Sequence, residues 1–109
     1  SNKTNTITMA QFSDLVFSSN DSSFEANYVF DNYFQIHAIC GPATFGENSD
    51  KEARASAADY NSFEYKIFDG VTQLDDTNWV ENNTKEQITA IMADVEGRTA
   101  VYSDPGGGE

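Results

Sequence analysis

Basic residues are the scarcest charged class in this chain of 109 residues, and no lysine or arginine occurs between Lys3 and Lys51. The chain has 18 acidic and 6 basic residues, which gives a formal net charge of -12 at pH 7. A nucleic-acid-binding surface needs lysine and arginine to displace counterions from phosphates, and anionic membranes attract the same two residues. The composition therefore argues against direct binding to nucleic acid or to a membrane surface, and it favours a partner with a basic surface.

Cysteine is also nearly absent, since Cys40 is the single one in the sequence. It has no second cysteine with which to form an internal disulfide, and no apolar segment typical of a signal peptide opens the chain. These two absences predict a cytoplasmic protein of a bacterium or of a host cell. With 39% hydrophobic residues the chain has enough apolar material to fold. We expect a single domain over 1–109, with loose ends at about 1–5 and 104–109.

Three segments open with a capping box, in which a hydroxyl residue is followed three positions later by Gln or Glu. The predicted helices begin at Thr8, Ser49 and Thr84, and they end near Ser18, Tyr60 and Glu96. The third pattern is the clearest because its apolar residues recur at helical spacing before a glycine. These residues are Ile88, Ile91, Met92, Val95 and Gly97.

Two hairpins are predicted between these helices. Asp69-Gly70 joins the strand-like runs Glu64–Phe68 and Val71–Leu74, which is typical of a type I′ turn. Asp31-Asn32 separates Asn27–Phe30 from Tyr33–Cys40 and is a weaker turn signal, because asparagine accepts a positive φ less readily than glycine. The alternative is one long, bent strand through this pair. A last short strand is predicted at Ala100–Tyr102.

Alternation along the predicted strand Tyr33–Cys40 assigns one set of its side chains to the core and the other set to the opposite face. The core set is Phe34, Ile36, Ala38 and Cys40, and the opposite set is Tyr33, Gln35, His37 and Ile39. Hairpin-linked strands separated by helices predict an α+β fold. We expect a small antiparallel sheet of about four to five strands in two hairpins, covered on one face by two to three helices. The second face of the sheet is then partly available to a partner.

No catalytic or cofactor motif is evident. His37 and Cys40 are three residues apart in a predicted strand, so they point to opposite faces unless a bulge lies between them. One histidine and one cysteine do not supply the four ligands of zinc, and the acidic loop 69–76 lacks the ligand spacing of a calcium-binding EF-hand. We therefore predict no catalytic residue, no metal and no cofactor. A small hydrolase that uses a carboxylate pair is the less favoured alternative.

The surplus of carboxylates has two explanations. It is an adaptation to high salt, or it serves recognition, because rows of carboxylates resemble the charge pattern of DNA. We favour recognition and predict a non-enzymatic acidic inhibitor or adaptor that binds a basic surface of a nucleic-acid-handling protein. A phage-encoded DNA mimic with anti-CRISPR or anti-restriction activity is one such protein. The alternative is a structural or virion-associated interaction domain whose acidity serves solubility.

The partner-binding residues are predicted mainly in the stretch 67–84, which again contains no lysine or arginine. Carboxylates in this stretch would attract the basic partner, and aromatic side chains would act as interface anchors. The predicted carboxylates are Asp69, Asp75, Asp76 and Glu81, and the predicted aromatic anchors are Tyr33 and Trp79.

Overall fold

The computed structural model describes residues 9–69 and 79–99. Within these ranges the chain forms a five-stranded sheet in the order β1-β2-β3-β4-β5, and each strand is antiparallel to its neighbour. The elements are β1 (Ser18–Asn20), β2 (Ser23–Val29), β3 (Gln35–Cys40), β4 (Phe63–Phe68), β5 (Val80–Asn83) and the helix α1 (Lys85–Glu96), with short 3-10 turns at Phe12–Asp14 and Ala57–Asp59.

The predicted cover of two to three helices is wrong. In the described residues the sheet is accompanied by one α-helix, α1, of 12 residues. The described part of the molecule is therefore mostly antiparallel sheet, with a single helix packed against one face.

The first predicted helix is replaced by an extended segment over 9–17 that contains one 3-10 turn. The backbone N–H of Ala10 donates to Glu96 Oε1, and that of Phe12 donates to Thr89 Oγ1, each at 2.8 Å. Both acceptors are side chains of α1. These backbone donors are thus satisfied by tertiary partners rather than by a helical ladder.

The second predicted helix, over 49–60, is irregular and ends in a 3-10 turn. The Tyr60 hydroxyl accepts from the backbone N–H of Arg54 at 2.9 Å and donates to the carbonyl of Glu52 at 2.6 Å. Asp50 Oδ1 accepts from the N–H of Glu52 at 3.1 Å. Side chains here occupy the backbone groups that a helix would use, which is why the capping pattern did not produce one.

The third predicted helix is confirmed. Thr84 is its N-cap, since Thr84 Oγ1 accepts from the N–H of Gln87 at 3.1 Å and Gln87 Oε1 accepts from the N–H of Thr84 at 2.8 Å. Gly97 follows the last helical residue. The apolar stripe packs on the sheet: Ile88, Met92 and Val95 have no exposed surface, and Ile91 is half-buried against the same core.

The core face of the sheet agrees with the alternation predicted for β3. Ile36, Ala38 and Cys40 are 0% exposed, and Phe34, just before the strand, is 5% exposed. The strand itself begins at Gln35 rather than at Tyr33. Residues 30–34 instead form the turn between β2 and β3, in which the N–H of Phe30 donates to the carbonyl of Phe34 at 2.8 Å. Tyr33 lies in this turn with a φ of 74°.

The strand β5 was not predicted, because Val80–Asn83 has little strand propensity apart from its valine. It forms an edge of the described sheet through pairing with β4, in the register Phe63↔Asn83 and Tyr65↔Val80. Several predictions lie outside the described residues. They are the helix start at Thr8, the turn residue Gly70, the strands Val71–Leu74 and Ala100–Tyr102, and the loose ends at 1–5 and 104–109.

Among the residues that the structure describes, no helix has both the length and the apolar character needed to cross a membrane.

Candidate functional site

Most residues of the candidate site lie on the sheet face opposite α1, here called the second face. Its residues in the central strands alternate with those of the core face and include Glu25, Asn27, Val29, Gln35, His37, Ile39, Glu64, Lys66 and Phe68. Residues 45–49 of the loop 41–62, which connects β3 to β4, and the side chain of Trp79 lie against this face.

Glu64 attaches that loop to the sheet. Its side chain is 0% exposed, and its Oε1 accepts from the N–H of Phe45 at 2.9 Å. Its Oε2 accepts from the N–H of Gly46 and from the hydroxyl of Ser49, the latter at 3.1 Å. A buried carboxylate is costly unless it is hydrogen-bonded, and here donors from the loop meet both of its oxygens.

Gly46 lets the loop approach the sheet this closely. A Cβ at this position would lie 2.8 Å from Ser49 Oγ, 3.0 Å from Glu81 Oε1 and 3.1 Å from Glu64 Oε2. Real Cβ atoms do not make contacts as short as the first of these, so a larger residue would require the Ser49 hydroxyl, which donates to Glu64, to move.

An open cleft of about 390 Å³ lies between the loop and β5. It is lined by Phe45, Gly46, Glu47, Asn48, Glu81 and Asn82. Both carboxylates are on exposed residues, and no lysine or arginine is among these lining residues. The cleft is therefore an acidic depression, and one of its walls carries an aromatic ring.

Trp79 sits between that ring and the second face. Its ring centroid is 5.8 Å from that of Phe45 and 5.5 Å from that of His37, the latter in an edge-to-face arrangement. Lys66 Nζ lies 4.6 Å from the centroid of Trp79, and Lys66 is only 2% exposed. The indole thus covers a buried cation, an arrangement favoured by the quadrupole of the ring.

Trp79 was predicted as an aromatic anchor, and in the structure it is half-buried by these contacts. Among the three rings in contact, those of His37, Trp79 and Phe45, the exposed one belongs to Phe45, with 64% of the residue's surface exposed. Sequence reasoning missed Phe45 because it occurs in a glycine-flanked loop with no strand pattern. An aromatic residue in a polar loop is the one sequence signal that could have identified it.

His37 and Cys40 do not meet. His37 is on the second face, where its Nε2 lies 3.2 Å from Glu25 Oε1. Cys40 is buried on the core face, and burial, together with the charge of Asp50, raises the pKa of its thiol to about 12. The thiol is therefore protonated at neutral pH and is not available as a nucleophile.

The predicted site residues fall into two places. Glu81 and Trp79 lie near one another around the cleft. Tyr33, which is 39% exposed, precedes β3, and Asp69, which is half-buried, follows β4. Because Gln35 pairs with Phe68, Tyr33 and Asp69 lie at the same end of the sheet. At a strand rise of about 3.3 Å per residue, this end is roughly 15 Å along β4 from the cleft. Asp75 and Asp76 lie outside the described residues.

The described basic residues are all engaged within the molecule. Lys51 donates to the Thr44 carbonyl, Arg54 pairs with Asp50 at 2.8 Å, Lys66 is buried beside Trp79, Lys85 donates to the Ala58 carbonyl at 2.8 Å, and Arg98 pairs with Asp94 at 2.8 Å. The Arg54 hydrogen bond also lowers the pKa of Asp50. Glu47 and Glu81, in contrast, form no ion pair with any basic residue in the described ranges.

Among the described residues, no group of three or more His, Cys, Asp or Glu side chains is arranged to hold a metal ion. The described residues around the cleft instead present carboxylates, amide side chains and an exposed ring.

In comparisons with known proteins, the chain matches no family model, no curated protein and no solved structure.

Proposed function

We propose that this chain is a non-enzymatic interaction protein that binds a basic surface of a nucleic-acid-handling protein, as an inhibitor or adaptor. One observation carries the proposal: the described cations are engaged internally, whereas Glu47 and Glu81 are exposed beside an open cleft without a described cationic partner. An uncompensated acidic surface attracts lysine and arginine of another protein and accelerates their encounter.

The class of partner follows from where basic surfaces are concentrated. Proteins that bind DNA or RNA display lysine and arginine for phosphate contacts, and a chain with a net charge of -12 competes for those groups. A DNA mimic of phage origin that blocks a CRISPR or restriction enzyme is the specific form of this proposal. We place it in the cytoplasm of a bacterium or host cell, where Cys40 would stay reduced.

An enzymatic function is less well supported. The one cysteine is buried on the core face with its pKa raised, and the histidine lies on the other face with Glu25 as its partner. A nucleophile and its base must be within hydrogen-bond reach of each other, which this arrangement excludes for Cys40 and His37.

The first test measures competition with DNA. The tagged chain would be used to capture its partner from the native host, and the purified partner would then be titrated with the chain in the presence and absence of duplex DNA. We expect DNA to compete, and we expect the dissociation constant to rise about tenfold or more between about 50 and about 200 mM salt. Simultaneous, independent binding of DNA and the chain would contradict the proposal and would favour a structural interaction domain.

A matched pair of variants tests which carboxylates matter. The first variant neutralises the predicted cluster as Asp69→Asn, Asp75→Asn, Asp76→Asn and Glu81→Gln. The control neutralises four exposed carboxylates outside 67–84, as Asp21→Asn, Asp31→Asn, Glu52→Gln and Glu86→Gln. Each set removes four charges and changes the formal net charge from -12 to -8. We expect the first set to slow association with the partner more than the control does, which is the signature of lost electrostatic steering.

A further inference from the structure

We propose that the cleft between the loop and β5 receives an arginine side chain of the partner. This inference rests on the proposed function and names the group that the site would recognise. It is supported by the composition of the cleft, by the exposure of one aromatic ring in its lining and by the contact of a cation with the neighbouring indole.

The cleft offers hydrogen-bond acceptors that suit a guanidinium. Glu47 and Glu81 provide carboxylate oxygens, and Asn48 and Asn82 provide amide oxygens. A guanidinium has five N–H donors in a plane and no acceptor, and it binds carboxylates with two parallel hydrogen bonds. An anionic ligand is disfavoured because no basic side chain lines the described walls of the cleft.

The ring of Phe45 distinguishes arginine from lysine. It is 64% exposed at the wall of the cleft, and its centroid is 5.8 Å from that of Trp79. The hydrogen bond between the Phe45 N–H and Glu64 anchors the backbone that carries the ring to the sheet. A planar guanidinium stacks on such a face, whereas an ammonium is a compact point charge that keeps its water.

The same aromatic cluster already holds a cation from within the chain. Lys66 Nζ lies 4.6 Å from the centroid of Trp79, on the sheet side of the indole. The indole therefore provides a surface on which a positive charge is favoured. The outer part of the cluster, between Phe45 and Glu81, has no such occupant among the described residues.

The test uses two probes of equal length and charge, a short arginine peptide and a short lysine peptide. Each would be titrated into ¹⁵N-labelled protein, with the backbone signals of Gly46, Asn48 and Asn82 as site-specific readouts and the fluorescence of the single tryptophan as a second. We expect the arginine peptide to bind at least severalfold more tightly than the lysine peptide, with shifts centred on the cleft.

Two variants and one control complete the test. We expect Glu81→Gln to weaken arginine binding severalfold and Phe45→Leu, which keeps apolar bulk beside Trp79, to reduce the preference for arginine over lysine. Asp21→Asn makes the same charge change at the far edge of the sheet, and asparagine tolerates the φ of 58° there. We expect it to bind the arginine peptide as the parent does.

The outcomes separate this inference from the proposed function. Equal affinity for the two peptides, or equal effects of Glu81→Gln and Asp21→Asn, would overturn the arginine site. If salt-sensitive binding to the basic partner then persists, the proposed function survives without it. If the natural partner proves not to compete with DNA while the arginine peptide still binds in the cleft, the proposed function fails and the site stands.

Discussion

Glu64 shows how a single polar residue in a strand can organise a distant loop. Its neighbours Phe63 and Tyr65 point to the core face, so alternation directs the carboxylate to the second face. There it is fully buried and accepts hydrogen bonds from Phe45, Gly46 and Ser49. The carboxylate replaces the water that it would otherwise bind with donors from the loop, and it thereby builds one wall of the cleft.

We predict that Glu64→Gln lowers the free energy of unfolding by about 1–3 kcal/mol. The amide keeps the size of the side chain but turns an NH₂ group toward backbone N–H donors, so at least one buried donor loses its acceptor. Urea unfolding followed by tryptophan fluorescence would measure the change. Glu47→Gln, at an exposed loop position outside any helix, is the control and should leave stability nearly unchanged. Equal midpoints for the two variants would show that the loop is held by other contacts.

At the scale of the element, α1 is a unit in which the sequence pattern and the tertiary packing agree. The cap at Thr84 is local, and the stripe that follows meets the sheet. Burial within that stripe is uneven, because Ile88 is 0% exposed and Ile91 is half-buried. The face of the helix that points to the sheet is therefore centred on Ile88, Met92 and Val95.

We predict that Ile88→Ala costs about 2–4 kcal/mol of unfolding free energy, because it leaves a cavity between α1 and the sheet. Ile91→Ala should cost clearly less, since part of that side chain already contacts solvent. Both values come from urea melts followed by circular dichroism. A larger loss at Ile91 than at Ile88 would mean that the helix is rotated about its axis relative to the face described above.

For the whole molecule the net charge of -12 is the dominant property. The described cations neutralise few of the carboxylates, because Lys51 and Lys85 donate to backbone carbonyls rather than to acids. Self-repulsion of like charges is strongest in the compact state, where the charges are closest together. Salt reduces this repulsion by shortening the reach of each charge to about 10 Å at 0.1 M.

We therefore predict that sodium chloride, raised from low concentration to about 0.1 M and above, increases the melting temperature. The control variant with four neutralised carboxylates outside 67–84 should show a smaller increase, because it begins with less repulsion to screen. Differential scanning calorimetry would measure both. An unchanged melting temperature in the parent would indicate that the carboxylates are too far apart to repel one another measurably.

The sequence by itself determined the parts of this protein whose physical cause is local. Thr84 and Gln87 satisfy backbone groups of their own helix, so the start of α1 can be recognised without its surroundings. The alternation of β3 is equally local, because Ile36 and His37 must point to opposite faces of any strand that contains them. The acidic character also follows from the sequence alone, because it is a matter of composition.

Only the tertiary structure determined that the other two capping patterns do not begin α-helices. The segment 9–17 donates to α1 across the molecule, and Tyr60 captures backbone groups of the loop before it, so neither segment needs a helix to satisfy its donors. The cleft arises in the same way, because Phe45 and Glu81 are far apart in the chain and become neighbours through the bonds that Glu64 makes. A contact between distant segments depends on loop closure and burial, which no local pattern records.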